Sequence, residues 1–90
     1  MRRKSVNPLN NSIIYWEIVL RDKITCQICR KRGRIIRGRA VCRKDECSQW
    51  IPMEIDHIVP LALGGENTTH NLRLACRRCN RSKGAKHHAI

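Results

Sequence analysis

Apolar and polar positions along the chain sort into a few readable stretches. In "NNSIIYWEIVLRDK" Asn11 or Ser12 can cap a helix, and Ile13, Trp16, Ile18 and Leu20 supply apolar contacts over the following turns. The spacing is not a clean stripe, so an extended lead-in is the alternative. "IPMEIDHIV" is rich in β-branched residues and bounded by prolines, which predicts a strand. "PLALGGENTTHN" predicts a loop, marked by Gly64, Gly65 and Asn67. "LRLAC" predicts a second strand with Leu72 and Leu74 on one face. "RRCNRSKGAKHHAI" starts as a short helix that Gly84 ends. Between the first helix and the strands, "RKRGRIIRGR" carries six basic residues and two glycines with no acid. Such a run cannot be a buried core and fits a basic hairpin or mobile loop. With no internal repeat, the expected organisation is a basic flexible arm over residues 1–11 and a single small α+β domain over residues 12–90.

Composition changes that picture in two ways. A chain of 90 residues without Phe, with two Trp and one Tyr, must build its core on Ile, Leu and Val. A core of that size usually needs a staple. The charge is lopsided, 19 Lys+Arg against 7 Asp+Glu, formally +12. That imbalance points to a polyanionic partner, nucleic acid before others, against the plainer reading of a soluble basic surface. No apolar run approaches the ~18 residues of a membrane span, and "IIYWEIVL" is interrupted by Glu17. Nothing at the start resembles a signal peptide, so no membrane association and a cytoplasmic setting are expected. In that setting paired cysteines bind metal more often than they form disulfides.

Cys26-x2-Cys29 and Cys76-x2-Cys79 are matched pairs separated by 46 residues. A tetrahedral zinc ion takes four thiolates at about 2.3 Å, and each C-x2-C knuckle offers two of them. The competing readings are a redox motif and unrelated buried thiols. A structural zinc on Cys26, Cys29, Cys76 and Cys79 is the expected staple, and a four-thiolate ion has no open position for chemistry. Cys42 and Cys47 are left over, as spare buried thiols, a second site, or substitutes for one knuckle.

The remaining oddity is Asp56 beside His57 inside an apolar strand. A lone strand histidine is more often simply packed, but a carboxylate there costs free energy unless it is paired or metal-bound. Taken together, "EIDHIVPLALGGENTTHNLRLACRRCN" resembles the HNH endonuclease family, the ββα-metal nucleases. The matching pieces are Asp56-His57, the "GGEN" loop, Asn71-Leu72 and "CRRCN" ending in Asn80, and the resemblance spans residues 24–86.

The resemblance implies a ββα-metal, treble-clef-like domain stabilised by zinc. It implies that His57 is the general base that activates water. An imidazole in water titrates at about pH 6.5, so it can accept a proton at cellular pH. Asp56 and Asn80 would hold one divalent cation, magnesium or another, through oxygen ligands. Asn80 stands where many members carry a final histidine, and an amide oxygen favours hard ions. Asn71 would bridge the long loop to the strand and keep His57 oriented; His70 has no catalytic role. DNA is the implied substrate, with Arg77, Arg78, Arg81, Lys83 and Lys86 near phosphates on the minor-groove side. The basic run and the "MRRK" arm would touch flanking backbone. A monomer would nick one strand, and a double-strand break needs a dimer, weak or transient, or two encounters. The family association suggests a phage or mobile-element enzyme, or one working with packaging proteins. The rival class is a non-catalytic zinc-containing nucleic-acid-binding module; an RNA-directed nuclease is a third reading.

Overall fold

The computed structural model describes residues 11–43 and 49–83. The expected arm falls outside these residues except for Asn11, as do Cys47, Gly84 and Lys86. Helix α1 spans Ser12–Arg21, and Asn11 caps it by accepting a hydrogen bond from the Ile14 amide at 3.0 Å. Strands β1 (Arg34–Ile36), β2 (Arg39–Arg43), β3 (Trp50–His57) and β4 (Leu72–Cys76) follow, and helix α2 (Arg77–Lys83) comes directly after β4. The sheet runs in the order β1-β2-β3-β4, antiparallel throughout. The chain is therefore a small α+β domain.

The inward face of α1 differs from the expected one. Ile18 and Val19 are fully buried and Ile14, Tyr15 and Trp16 pack against the core, whereas Ile13 and Leu20 are 77% and 67% exposed. Ile14/Ile18 and Tyr15/Val19 are i,i+4 pairs, which places them on one stripe. Across from this stripe lie Met53 and Ile55 of β3 and Leu72 and Leu74 of β4. Each fully buried aliphatic side chain contributes about 2 kcal/mol, so this patch carries much of the domain's apolar stabilisation.

The basic run does form a hairpin. Ile36 pairs with Arg39 across Arg37 and Gly38, whose φ values of 52° and 73° define a two-residue turn matched to the strand twist. Glycine adopts this conformation freely and Arg37 does so at some cost. The hairpin continues beyond the basic run into Ala40, Val41 and Cys42, which are buried.

The outer edge of β4 is closed by the other end of the chain. After α1, Lys23 and Ile24 take left-handed φ values of 57° and 54°, and the chain reverses into the first cysteine knuckle. Asp22 accepts from the Leu74 amide (2.9 Å), Gln27 donates its amide to the Leu74 carbonyl (2.8 Å), and Arg21 donates to the carbonyls of Leu72 (2.6 Å) and Thr69 (2.9 Å). An edge that would otherwise expose unpaired backbone groups is thereby satisfied.

Candidate functional site

Two centres are built on the β3–β4–α2 segment. In the first, the knuckle after α1 supplies Cys26 and Cys29, the last residue of β4 supplies Cys76, and the first turn of α2 supplies Cys79. The four sulfur atoms all lie within 4.8 Å of one another. A tetrahedral ion with bonds of about 2.3 Å would space them about 3.8 Å apart, so one ion fits. Cys26 Sγ accepts from the backbone amides of Ile28, Cys29 and Cys76, each at 3.4 Å. Burial pushes this thiol up, but those amides outweigh it and bring it down to about 7 from the usual 9. Burial raises Cys29 and Cys79 instead, so of these three thiols Cys26 ionises first. Four positioned sulfurs, one ready to ionise, are a place for a metal ion. Cys42 is not among them: it is buried in β2, and burial pushes its thiol up to about 11. Among the described cysteines, the two C-x2-C pairs alone converge.

The second centre follows from two periodicities. Alternation along β3 sends Met53 and Ile55 into the core and Glu54 and Asp56 to the opposite face. On α2, Arg77, Asn80 and Lys83 recur every third residue and so share one helix face. The faces interlock. Glu54 accepts from Arg77 Nε (2.8 Å) and Asn80 Nδ2 (3.0 Å); Asp56 accepts from Lys83 Nζ (2.8 Å) and from Arg73 Nε (2.8 Å), its register partner on β4. Asp56 is 5% exposed and Lys83 4%. The ammonium of Lys83 also donates to the His57 carbonyl at 2.5 Å. Lys83 is thus a buried partner of Asp56, not the phosphate-facing surface cation expected from the sequence.

His57 closes β3, and its Nε2 lies 2.6 Å from Asn67 Oδ1. If Asn67 Oδ1 accepts in this contact, Nε2 would carry the ring proton and Nδ1 would be left to receive one. Asp56, His57 and Asn80 all line one cleft, together with Glu54, Arg77 and Lys83. Asn71 does not line it. Its amide oxygen accepts from the Val59 amide (2.8 Å) and its Nδ2 donates to the carbonyls of Val59 (3.0 Å) and Glu66 (2.8 Å). Its backbone carbonyl accepts from Ile58 at 2.8 Å. The long loop is therefore sewn to the two residues after His57. Gly65 lets the loop lie this close, since a Cβ there would stand 1.8 Å from the Val59 carbonyl oxygen.

The model of a known family, described as HNH endonuclease, matches residues 40–89. This chain belongs to the HNH endonuclease family. The match covers β2 from Ala40 onward, β3, β4 and α2, hence every residue of the cleft named above. The HNH chain is also 35% identical over 98 aligned positions to the CRISPR-associated endonuclease Cas9 of Corynebacterium diphtheriae. That alignment takes in all of this chain but only 9% of the relative. No solved structure matches the chain significantly.

Sequence reasoning brought Asp56, His57 and Asn80 to one place and missed three of their neighbours. Glu54 shares strand parity with Asp56, and two carboxylates on one face of an apolar strand require partners. Lys83 completes the i,i+3,i+6 row begun by Arg77 and Asn80. Asn67 lies in the quoted "GGEN" loop, but nothing local in the sequence ties it to His57.

Proposed function

We propose that this chain is a metal-dependent endonuclease domain that hydrolyses phosphodiester bonds in DNA, one strand per active site. The observation that carries it is the convergence of Asp56, His57 and Asn80 on one cleft in a member of the HNH family. In this reading β3, β4 and α2 are the ββα unit. His57 Nδ1 takes a proton from water as its oxygen bonds to phosphorus; the bond to the 3′ oxygen breaks, and the leaving oxygen acquires a proton. Asn67 holds the tautomer that makes this possible, and Asn71 holds the backbone behind it. The donors suit a hard cation: Asp56 offers carboxylate oxygens, and Asn80, whose Nδ2 is taken up by Glu54, offers Oδ1. Magnesium or a similar divalent ion held by these two would stabilise charge building on the phosphate and leaving oxygens. Zinc in the Cys26–Cys29–Cys76–Cys79 cluster would be structural.

The basic hairpin supports DNA as the substrate. Arg39 and Gly38 at its tip line the same cleft, and Arg34 and Arg43 stack on Trp50 at 5.3 and 5.0 Å from the ring centroid. Such stacking holds guanidinium groups in place for phosphates. Affinity of this kind is electrostatic and falls steeply with salt. One site nicks, so a double-strand break takes a dimer or a second encounter. A phage, mobile-element or packaging assembly in the cytoplasm is a setting that would deliver such a domain to DNA.

One observation favours a second reading. Both oxygens of Asp56 are already bonded to cations of the chain, which suits a non-catalytic zinc-containing nucleic-acid-binding module. Supercoiled plasmid with magnesium separates the two. Nicking by the wild type that His57→Ala loses supports the nuclease. No cutting with any of several divalent ions, or equal cutting by both proteins, supports the binder. Preference for an RNA substrate in the same assay would correct the substrate class.

A further inference from the structure

The cation site proposed above depends on which end of the Asn80 amide faces the cleft. The oxygen and nitrogen of an asparagine amide are nearly the same size and exchange by a half-turn about one bond. Only the oxygen has a lone pair for a cation; an NH2 group turned the same way would repel it. The choice is therefore functional, and it is made outside Asn80 itself.

We propose that Glu54 is the positioning residue that makes this choice, a role that rests on the reading of Asn80 as a cation ligand. Arg77 Nε occupies Glu54 Oε2 at 2.8 Å, and Oε1 is left facing Asn80 Nδ2 at 3.0 Å. A carboxylate accepts hydrogen bonds and donates none, so it selects the NH2 end of the amide and turns Oδ1 away. No donor among the described residues bonds that Oδ1, and both Asn80 and Glu54 line the cleft with Asp56. The chain Arg77–Glu54–Asn80 thus runs from a cation through an anion to an amide, each link fixing the polarity of the next. Arg77 and Asn80 lie three residues apart on α2, so Glu54 receives both from one helix face. Among the described residues the Glu54 carboxylate bonds to donors on α2, so it orders the helix side of the cleft.

The polarity of the link makes a specific test available. Glu54→Gln keeps size and shape. Arg77 will keep the new amide's oxygen, which leaves its NH2 facing Asn80 and selects the opposite orientation of the asparagine. The Glu54→Gln variant should then bind Mn2+ about 10- to 100-fold more weakly than wild type, the range for loss of a residue that orients a metal ligand. Asn80→Asp alone sets two carboxylates against each other and should melt below wild type. Combined with Glu54→Gln it should recover, because the new amide can donate to one oxygen of the introduced carboxylate while the other faces the cleft.

The measurements are Mn2+ affinity by electron paramagnetic resonance on zinc-loaded protein, and thermal melting of the four proteins of the cycle. The expected result is weak Mn2+ binding in Glu54→Gln, restored in the double variant, with the double melting above Asn80→Asp. Equal Mn2+ affinity in wild type and Glu54→Gln overturns the positioning role. So does a double variant that binds and melts no better than Asn80→Asp. A wild type that binds no Mn2+ beyond the Asp56→Asn control removes the cation reading itself and the inference with it. That failure is recognisable because it appears before any change at Glu54.

Discussion

Replacing Lys83 with methionine tests whether the Asp56 centre holds the fold together or merely decorates it. The Lys83 and Asp56 side chains are 3% and 5% exposed, and the pair is 2.8 Å apart. A surface ion pair of that length is worth only about 0.2–1 kcal/mol, because water competes for both ends. Here water is excluded, and the ammonium also satisfies the His57 carbonyl. Lys83→Met deprives two acceptors of a donor, at about 1–3 kcal/mol each. Two effects offset part of that loss: methionine buries no charge, and Asp56 keeps Arg73 at 2.8 Å. The net expectation is about 2–3 kcal/mol.

Asp56→Asn should cost more, about 3–5 kcal/mol, because it leaves Lys83 and Arg73 converging on a neutral amide with no anion between them. In a domain of this size each kcal/mol moves the melting temperature by about 4–8 °C. Lys83→Met should therefore melt roughly 8–24 °C below wild type, and Asp56→Asn lower still, by circular dichroism on zinc-saturated protein. A Lys83→Met change within about 0.5 kcal/mol would place the pair in the class of surface contacts and refute the reasoning. So would a Lys83→Met variant less stable than Asp56→Asn.

Three further outcomes are expected. Asn71→Ala removes three side-chain hydrogen bonds to the loop backbone, each worth about 1 kcal/mol, and should lower stability by about 2–4 kcal/mol in a denaturant titration without loss of the thiol-bound metal. Cys76→Ser should lose bound zinc, whereas Cys42→Ser should keep one equivalent, as read by elemental analysis; zinc loss from Cys42→Ser would overturn the assignment of the four ligands. The Cys42 thiol, pushed up to about 11 by burial from a usual value of 9, is neutral in the folded chain at pH values where the unfolded chain ionises. Its contribution to stability is present below pH 9 and lost as pH rises from about 9 to about 11, so the alkaline fall in melting temperature should be smaller in Cys42→Ala.

What the sequence made legible were features with a local cause. Asn11 caps α1 because its side chain meets an amide three residues away, and β3 shows itself in the "IPMEIDHIV" stretch, although it starts before Pro52 and ends at His57. The cysteine pairs declare themselves because a knuckle imposes its own spacing. The burial of α1 was misjudged at Ile13 and Leu20, since a helix with apolar residues on more than one side does not reveal which side meets the sheet. Lys83 looked like one more cation in a basic tail; only the approach of α2 to β3 shows that it answers Asp56. Arg21 and Asp22 carry no motif, yet they close the free edge of β4 some 50 residues later in the chain, at Leu72 and Leu74. Pairings of this kind are decided by packing, and no window along the chain contains both partners.

The two centres are mechanically one. The described segment of α2, Arg77–Lys83, would not form a helix alone in water, because nucleation costs more than so few hydrogen bonds return. Two points on α2 can hold it: Cys79 in its first turn belongs to the thiol cluster, which a metal ion would tie together, and Lys83, its last described residue, is locked under Asp56. Asn80 follows Cys79 directly and sits between these anchors, where it meets Glu54. A metal held by the four thiols would therefore fix the backbone one residue away from the proposed cation ligand. At the other end, the Lys83 ammonium ties the helix to the Asp56 carboxylate and the His57 carbonyl. With a metal on the thiols, position along α2 would be set by sulfur at one point and by charge at the other, and Asn80 would be placed accurately without a large apolar core beneath it. The small core and the two staples answer the same need: a chain with few large side chains to bury must fix its working residues by bonds that act at specific atoms.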